Sequence, residues 1–169
     1  MRNAALLLSL TILVACASSQ VRSTGLSRYQ GPPITAIAIA PGSGALGEAI
    51  GVELFGFGFQ IVDPTGVDRT SGQDLATASA VAATPRLGRL SEQGTTALLV
   101  VESVLAYDST PQSASVRVTN ASTGETLATL SWKNGWGGAR GSPADRMMRK
   151  DLGEAAREIA IVIKQSLRR

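Results

Sequence analysis

The sequence predicts a mixed α/β (α+β) domain, three-layer-like, with about five strands and about three helices in the order β-α-β-α-β-β-β-α. Three observations carry this. After residue 33, apolar residues alternate with period two and then recur at helical spacing, the mark of a parallel or mixed sheet. Two later strand-like runs are joined by a short connection containing Gly124, which adds an antiparallel hairpin. The chain then closes on a long amphipathic stripe.

Taken in order, Ile34 to Ile39 alternates isoleucine with small residues and is stopped by Pro41-Gly42, so it reads as a strand. From Ala45 to Gly56, Leu46, Ile50, Leu54 and Phe55 predict a helix weakened by Gly47 and Gly51. Phe57 to Val62 reads as a second strand, with Phe55, Phe57 and Phe59 as core at the junction, and Asp63-Pro64-Thr65-Gly66 as a turn. Ser71 to Asp74 caps a helix through Ala83, with a second stretch after Pro85 that ends before Gly94. Ala97 to Val101 is continuously apolar, as in a strand buried on both faces, and extends toward Tyr107. Ser113 to Thr119 and Thr126 to Trp132 form the hairpin. Ser142-Pro143-Ala144-Asp145 supplies an N-cap, a first-turn proline and an acid for a terminal helix. Its apolar stripe is Met148, Leu152, Ala155, Ala156, Ile159, Ile163 and Leu167, with Glu154 and Glu158 paired to bases one turn away.

The chain has 169 residues, no histidine, one cysteine, and 16 Lys plus Arg against 13 Asp plus Glu. The length suits one domain. Without histidine there is no Ser-His-Asp or Cys-His catalysis, and one cysteine leaves no intramolecular disulfide and no CxxC motif. The net charge of +3 is too small to argue nucleic-acid binding, so no nucleic-acid partner is expected. The charge is uneven, because residues 139–169 carry 8 basic and 4 acidic groups. Scattered carboxylates form no glycosidase pair or metal cage, and no metal, no cofactor and no enzymatic activity are expected.

The lone cysteine sits where it means most. Met1-Arg2-Asn3 is followed by an apolar run from Ala4 to Ala15. At a rise of ~1.5 Å per residue that run reaches only about 18 Å, short of a ~30 Å bilayer core, so residues 1–15 read as a signal peptide. Leu13-Val14-Ala15-Cys16 resembles the bacterial lipobox. That resemblance implies acylation of Cys16 as the lipid attachment site, and Ala17 after it implies an outer-membrane destination. Several acyl chains anchor stably where one binds only marginally. Residues 16–33, polar and turn-rich, read as a lipidated flexible tether, and 34–169 as the working domain.

Gly42-Ser43-Gly44-Ala45-Leu46-Gly47 spells GxGxxG between a strand and a helix, and Asp63 ends the next strand. Gly42, Gly44, Gly47 and Asp63 are therefore candidate dinucleotide ligands. The competing reading, a glycine-rich strand-to-helix turn, is favoured: the lipobox puts the domain outside the cytoplasm, and too little chain follows for a second nucleotide-binding half.

The run Val52 to Asp63, the strand Ala97 to Val104, the hairpin Val116 to Leu127 around Ser122-Thr123-Gly124-Glu125, and the terminal helix together resemble the periplasmic α/β domain of CsgG-type lipoproteins. That group includes the curli secretion channel, the exopolysaccharide-export lipoprotein PelC, LpoB-type synthase activators and the N-terminal domain of TolB. The resemblance spans about residues 34 to 167. It implies a non-enzymatic assembly or export accessory working through an envelope protein partner or self-association, or alternatively a regulator of a cell-wall synthase. There is no room for the long barrel strands of a curli-type channel. Trp132, Lys133, Trp136 and Arg140 are the candidate contact residues, since interfaces favour aromatics and arginine. For Trp132 the competing reading, a strand residue packed under the terminal helix, is favoured, and Trp136 is read as a partner-contact or membrane-surface residue.

Overall fold

The computed structural model describes residues 19–24, 31–62, 90–92, 94–136, 138–139 and 141–167. The isoleucine alternation becomes β2 (Ala36–Ile39), all four residues of which are buried. Helix α1 (Gly44–Gly56) follows and buries Leu46, Ile50 and Leu54. The chain returns in β3 (Gln60–Val62), parallel to β2. This strand is shorter than its apolar run because Phe57 still bonds to Glu53 and Leu54 as the end of α1. The helix expected from Asp74 through Ala83 lies outside the described residues, whereas Leu90–Glu92 are helical and stop before Gly94 as expected.

β4 (Ala97–Leu105), β5 (Pro111–Asn120) and β6 (Thr126–Lys133) form an antiparallel meander, with β4 parallel to β2. The turn between β5 and β6 is fixed by Asn120, whose Oδ1 accepts from the Ser122 and Thr123 amides, and by Gly124 at φ +74°. A sixth strand, β1 (Gln20–Thr24), lies antiparallel on β6 inside the stretch read as a tether. Val21 packs on the core opposite Trp132 while Arg22 faces away, so the segment alternates too briefly to stand out by sequence alone. The sheet order is β1-β6-β5-β4-β2-β3, mixed as expected, with six strands where about five were expected.

The terminal helix is two helices. Helix α2 (Pro143–Met148) begins at the expected Ser142 cap, whose Oγ accepts from the Asp145 amide, and ends where Arg149 is extended. Helix α3 (Leu152–Leu167) begins anew at Asp151, which accepts from the Glu154 amide while Glu154 accepts from the Asp151 amide, a capping box. The predicted stripe still holds, with Ala155, Ala156, Ile159, Ile163 and Leu167 buried.

α1 and α3 pack side by side on one face of the sheet, over Leu99, Val116, Leu130 and Trp132. A smaller cluster of Ala38, Leu90 and Ala121 lies apart from this core. Phe59 joins the main core, but Phe57 is half-buried under the Lys164 ammonium, 4.5 Å from its ring, and Phe55 is exposed. The aromatic trio is split because Phe55 falls on the outward side of α1.

The glycines of the strand-to-helix turn have packing reasons. A Cβ at Gly47 would overlap Ser43, and one at Gly51 would overlap the tip of Ile39, so these positions bring α1 close to β2. Gly42 and Gly44 hold φ of +86° and +64°, conformations that side chains disfavour. Ser43 between them is buried, and its hydroxyl accepts from the Val101 amide of β4. Gly42, Gly44 and Gly47 thus serve the turn, and Asp63 lies outside the described residues.

Candidate functional site

Register places several chain ends together. β2, β4 and β6 run in one direction and β1 and β5 in the other, so Gln20, Lys133, Ser113 and Val104 line up at one end of the sheet. The turn after β4, the loop after β6 and helix α2 gather at the same end. Asn134 donates from its backbone to Gln112, and Arg149 feels the charge of Asp108 in the β4–β5 turn.

Asn134 organises this end. Its Nδ2 donates to the carbonyls of Pro111 (2.6 Å) and Lys150 (2.8 Å), and its Oδ1 accepts from the amides of Gly135 (2.7 Å) and Lys150 (2.8 Å). One side chain so ties the start of β5, the end of β6 and the link between α2 and α3. Nearby, Asp145 is buried and accepts from Arg149 Nη2 (2.8 Å) and Nε (3.2 Å) and from the Gly141 amide (2.9 Å). The hydrogen bond to Asp145 leads the causes that hold the Arg149 guanidinium above its already high ordinary value, against partial desolvation.

Trp132 is only 1% exposed, so the expectation of a partner contact for its side chain gives way to the competing one, packing beneath the terminal helix. Its indole N–H donates to Glu158 Oε2 at 2.8 Å. Glu158 Oε1 accepts from Lys150 Nζ (3.0 Å) and from the Ser19 hydroxyl (3.0 Å). Glu158 thus bonds across to Lys150 and β6, where pairing to bases one turn away on its own helix was expected. Partial burial alone would raise its carboxyl, but the hydrogen bonds from Trp132, Lys150 and Ser19 and the charge of Lys150 outweigh this and hold it below its ordinary 4.5. A carboxyl lowered on folding stabilises fully above its unfolded value, and the contribution is lost as pH falls through the lower folded value. Urea midpoints are therefore expected to lose this contribution only below about pH 4.5, and Glu158→Gln to remove that part of the acid sensitivity.

Lys133 is exposed at the end of β6, and Arg140 lies outside the described residues. Trp136 is 55% exposed. It has company that sequence spacing could not bring together: Met147 on α2 is 84% exposed, Tyr107 in the β4–β5 turn is fully exposed, and Val104 and Leu105 precede it. Arg146 is exposed on α2 beside Met147. This end thus presents apolar and aromatic side chains among basic ones, and β1 begins there. Ser19 is bonded there, and Cys16, itself outside the described residues, is three residues away, at most about 11 Å of extended chain. A second exposed apolar pair, Val52 and Phe55, lies on the outer side of α1.

No family model matches the chain, and no curated protein does. Among solved structures, the chain is similar to the PelC dodecamer from Paraburkholderia phytofirmans (TM-score 0.49, 14% identity), over 89% of this chain and 99% of that chain. It is also similar to lipoprotein GNA1162 from Neisseria meningitidis (TM-score 0.46, 18% identity), over 78% of this chain and 95% of that one.

Proposed function

We propose that the chain is a lipoprotein held by acyl chains on Cys16 at the outer membrane, whose domain faces the periplasm and serves as a non-enzymatic assembly or export accessory. The observation that carries this reading is the end of the sheet just described. Trp136, Tyr107, Leu105 and Met147 stand exposed among Lys133 and Arg146 at the end where the chain from Cys16 enters. Amphipathic aromatic and basic side chains suit the boundary between water and lipid headgroups, and they add attraction that the acyl chains alone do not orient. The domain then stands with β1 and α2 toward the membrane, and the outer side of α1, with Val52 and Phe55, is free for an envelope partner or a second copy.

Mass spectrometry of the purified protein is expected to find a mature chain beginning at an acylated Cys16, and Cys16→Ala is expected to leave the outer-membrane fraction and accumulate unprocessed. A mature chain with an unmodified Cys16, or normal outer-membrane retention of the alanine variant, overturns the anchoring. Because Trp132 is buried and Trp136 exposed, a blue shift of tryptophan emission on adding phosphatidylethanolamine–phosphatidylglycerol vesicles, lost in Trp136→Phe, reports the orientation.

A further inference from the structure

The face of the sheet opposite α1 and α3 has a composition of its own. In one row across β1, β6, β5 and β4, Arg22, Ser131, Ser115 and Glu102 stand side by side. The row toward the membrane end adds Gln20, Lys133, Ser113 and the exposed Val104, and the row beyond adds Arg117. Arg22, Arg117 and Lys133 are exposed, and the sole acid among these three rows is Glu102, also exposed. Among the described residues none of the three bases has an ion pair, and the hydroxyls of Ser113, Ser115 and Ser131 have no hydrogen-bond partner. A shallow groove of about 570 Å³ runs over this surface between Arg22, Lys133, Ser131, Ser115, Glu102 and Val104.

We propose that this face docks an extended acidic polysaccharide, with Arg22, Arg117 and Lys133 pairing with its carboxylates and the serine hydroxyls bonding its hydroxyl groups. Strand spacing of ~4.8 Å and a two-residue step of ~6.8 Å put the three bases about 8 to 14 Å apart, a span for successive units of one chain and too wide for a single small anion. Each base is a strong partner for carboxylate, arginine through a bidentate fork. The backing is rigid, since Val116, Leu130 and Trp132 lie buried beneath the same strands, so little order must be imposed on binding. A protein partner is less suited: interface hot spots are aromatic or large and apolar, and among the described residues this face carries no exposed aromatic side chain and one exposed apolar one, Val104 at its edge. Lys133 borders the membrane end, whereas Arg22 and Arg117 lie on this face alone, so Arg22→Gln with Arg117→Gln tests binding apart from membrane attachment.

The test uses the full mature chain and fluorescence anisotropy of labelled polygalacturonate at low salt, with neutral dextran and polyglutamate as comparators. Polygalacturonate is expected to bind saturably and more weakly as salt rises, and dextran not to bind. Arg22→Gln with Arg117→Gln and Lys133→Gln is expected to weaken binding at least about tenfold, and Ser115→Ala with Ser131→Ala about threefold. Glu102→Gln is expected to tighten it about twofold, because a like charge leaves the groove. These are surface positions, and circular dichroism checks that the variants fold; Arg22→Gln alone, expected to weaken binding about threefold, serves if the triple variant does not. Absence of saturable polygalacturonate binding, or unchanged binding in the base variants, overturns the proposal. Equal binding of polyglutamate with the same dependence on Arg22 also overturns it, assigning the face to an acidic protein.

Discussion

Trp132→Ala is expected to cost about 3–5 kcal/mol of folding stability, the range for deleting a large buried aromatic, and so to remove much or all of the margin of a domain this size. Trp132 lies at the centre of the core between β6 and α3, with Val21 of β1 beside it on the same face. Deletion leaves a cavity under α3 and also strips Glu158 of the indole N–H. Trp132→Phe separates the two effects. It keeps most of the volume, so a loss of about 1–3 kcal/mol would be the share of the hydrogen bond to the carboxylate. Urea unfolding followed by circular dichroism measures both. Equal stability of Trp132→Ala and the parent chain would refute the central place given to this residue.

The second large effect is expected at Asn134. Asn134→Ala removes two donated and two accepted hydrogen bonds at once and leaves the Lys150 amide, the Gly135 amide and the Pro111 and Lys150 carbonyls without this partner, for a cost of about 2–4 kcal/mol. The effect is local in origin: the link between α2 and α3 comes loose from the end of β6, and with it the loop carrying Trp136. Hydrogen exchange is expected to accelerate at the Lys150 amide before it does in β5 or β6. Asn134→Asp keeps the acceptors but aims a charge at two carbonyls, so it is expected to be nearly as damaging as alanine. A silent Asn134→Ala would mean that water replaces the side chain at no cost.

Much of the fold is legible without coordinates. The alternation at Ile37 and Ile39, the apolar run at Leu98 to Val101 and the stripe through Ile159 and Ile163 name strands and helix directly, because burial on one face imposes a period of two or 3.6. Other features are present in the sequence but masked by stronger patterns. Asp151-Leu152-Gly153-Glu154 is a capping-box signature, yet the longer stripe from Met148 conceals the break before it. β1 offers a single apolar residue toward the core, Val21, and becomes a strand only because β6 presents an unpaired edge to it.

At the candidate site the division is sharper. Cys16 stands out by motif alone, as does the exposure of Trp136 between glycines. Yet Trp132, of the same residue type and four positions earlier, is sealed in the core, and no local pattern separates the two: the difference is whether α3 lies overhead. Asn134 escapes sequence reasoning altogether, because its partners are backbone groups of Pro111 and Lys150, at separations of 23 and 16 residues.

By itself, then, the sequence determined the element types, the mixed sheet and the amphipathic terminal stripe, since each follows from periodicity within a dozen residues. Only the tertiary structure decided that β1 completes the sheet, that Tyr107, Trp136 and Met147 share one end with the start of β1, and that Arg22, Arg117 and Lys133 share one face. The grouping of the three bases depends on strand register between segments far apart in the chain, and a shift of one residue would turn a base to the opposite face.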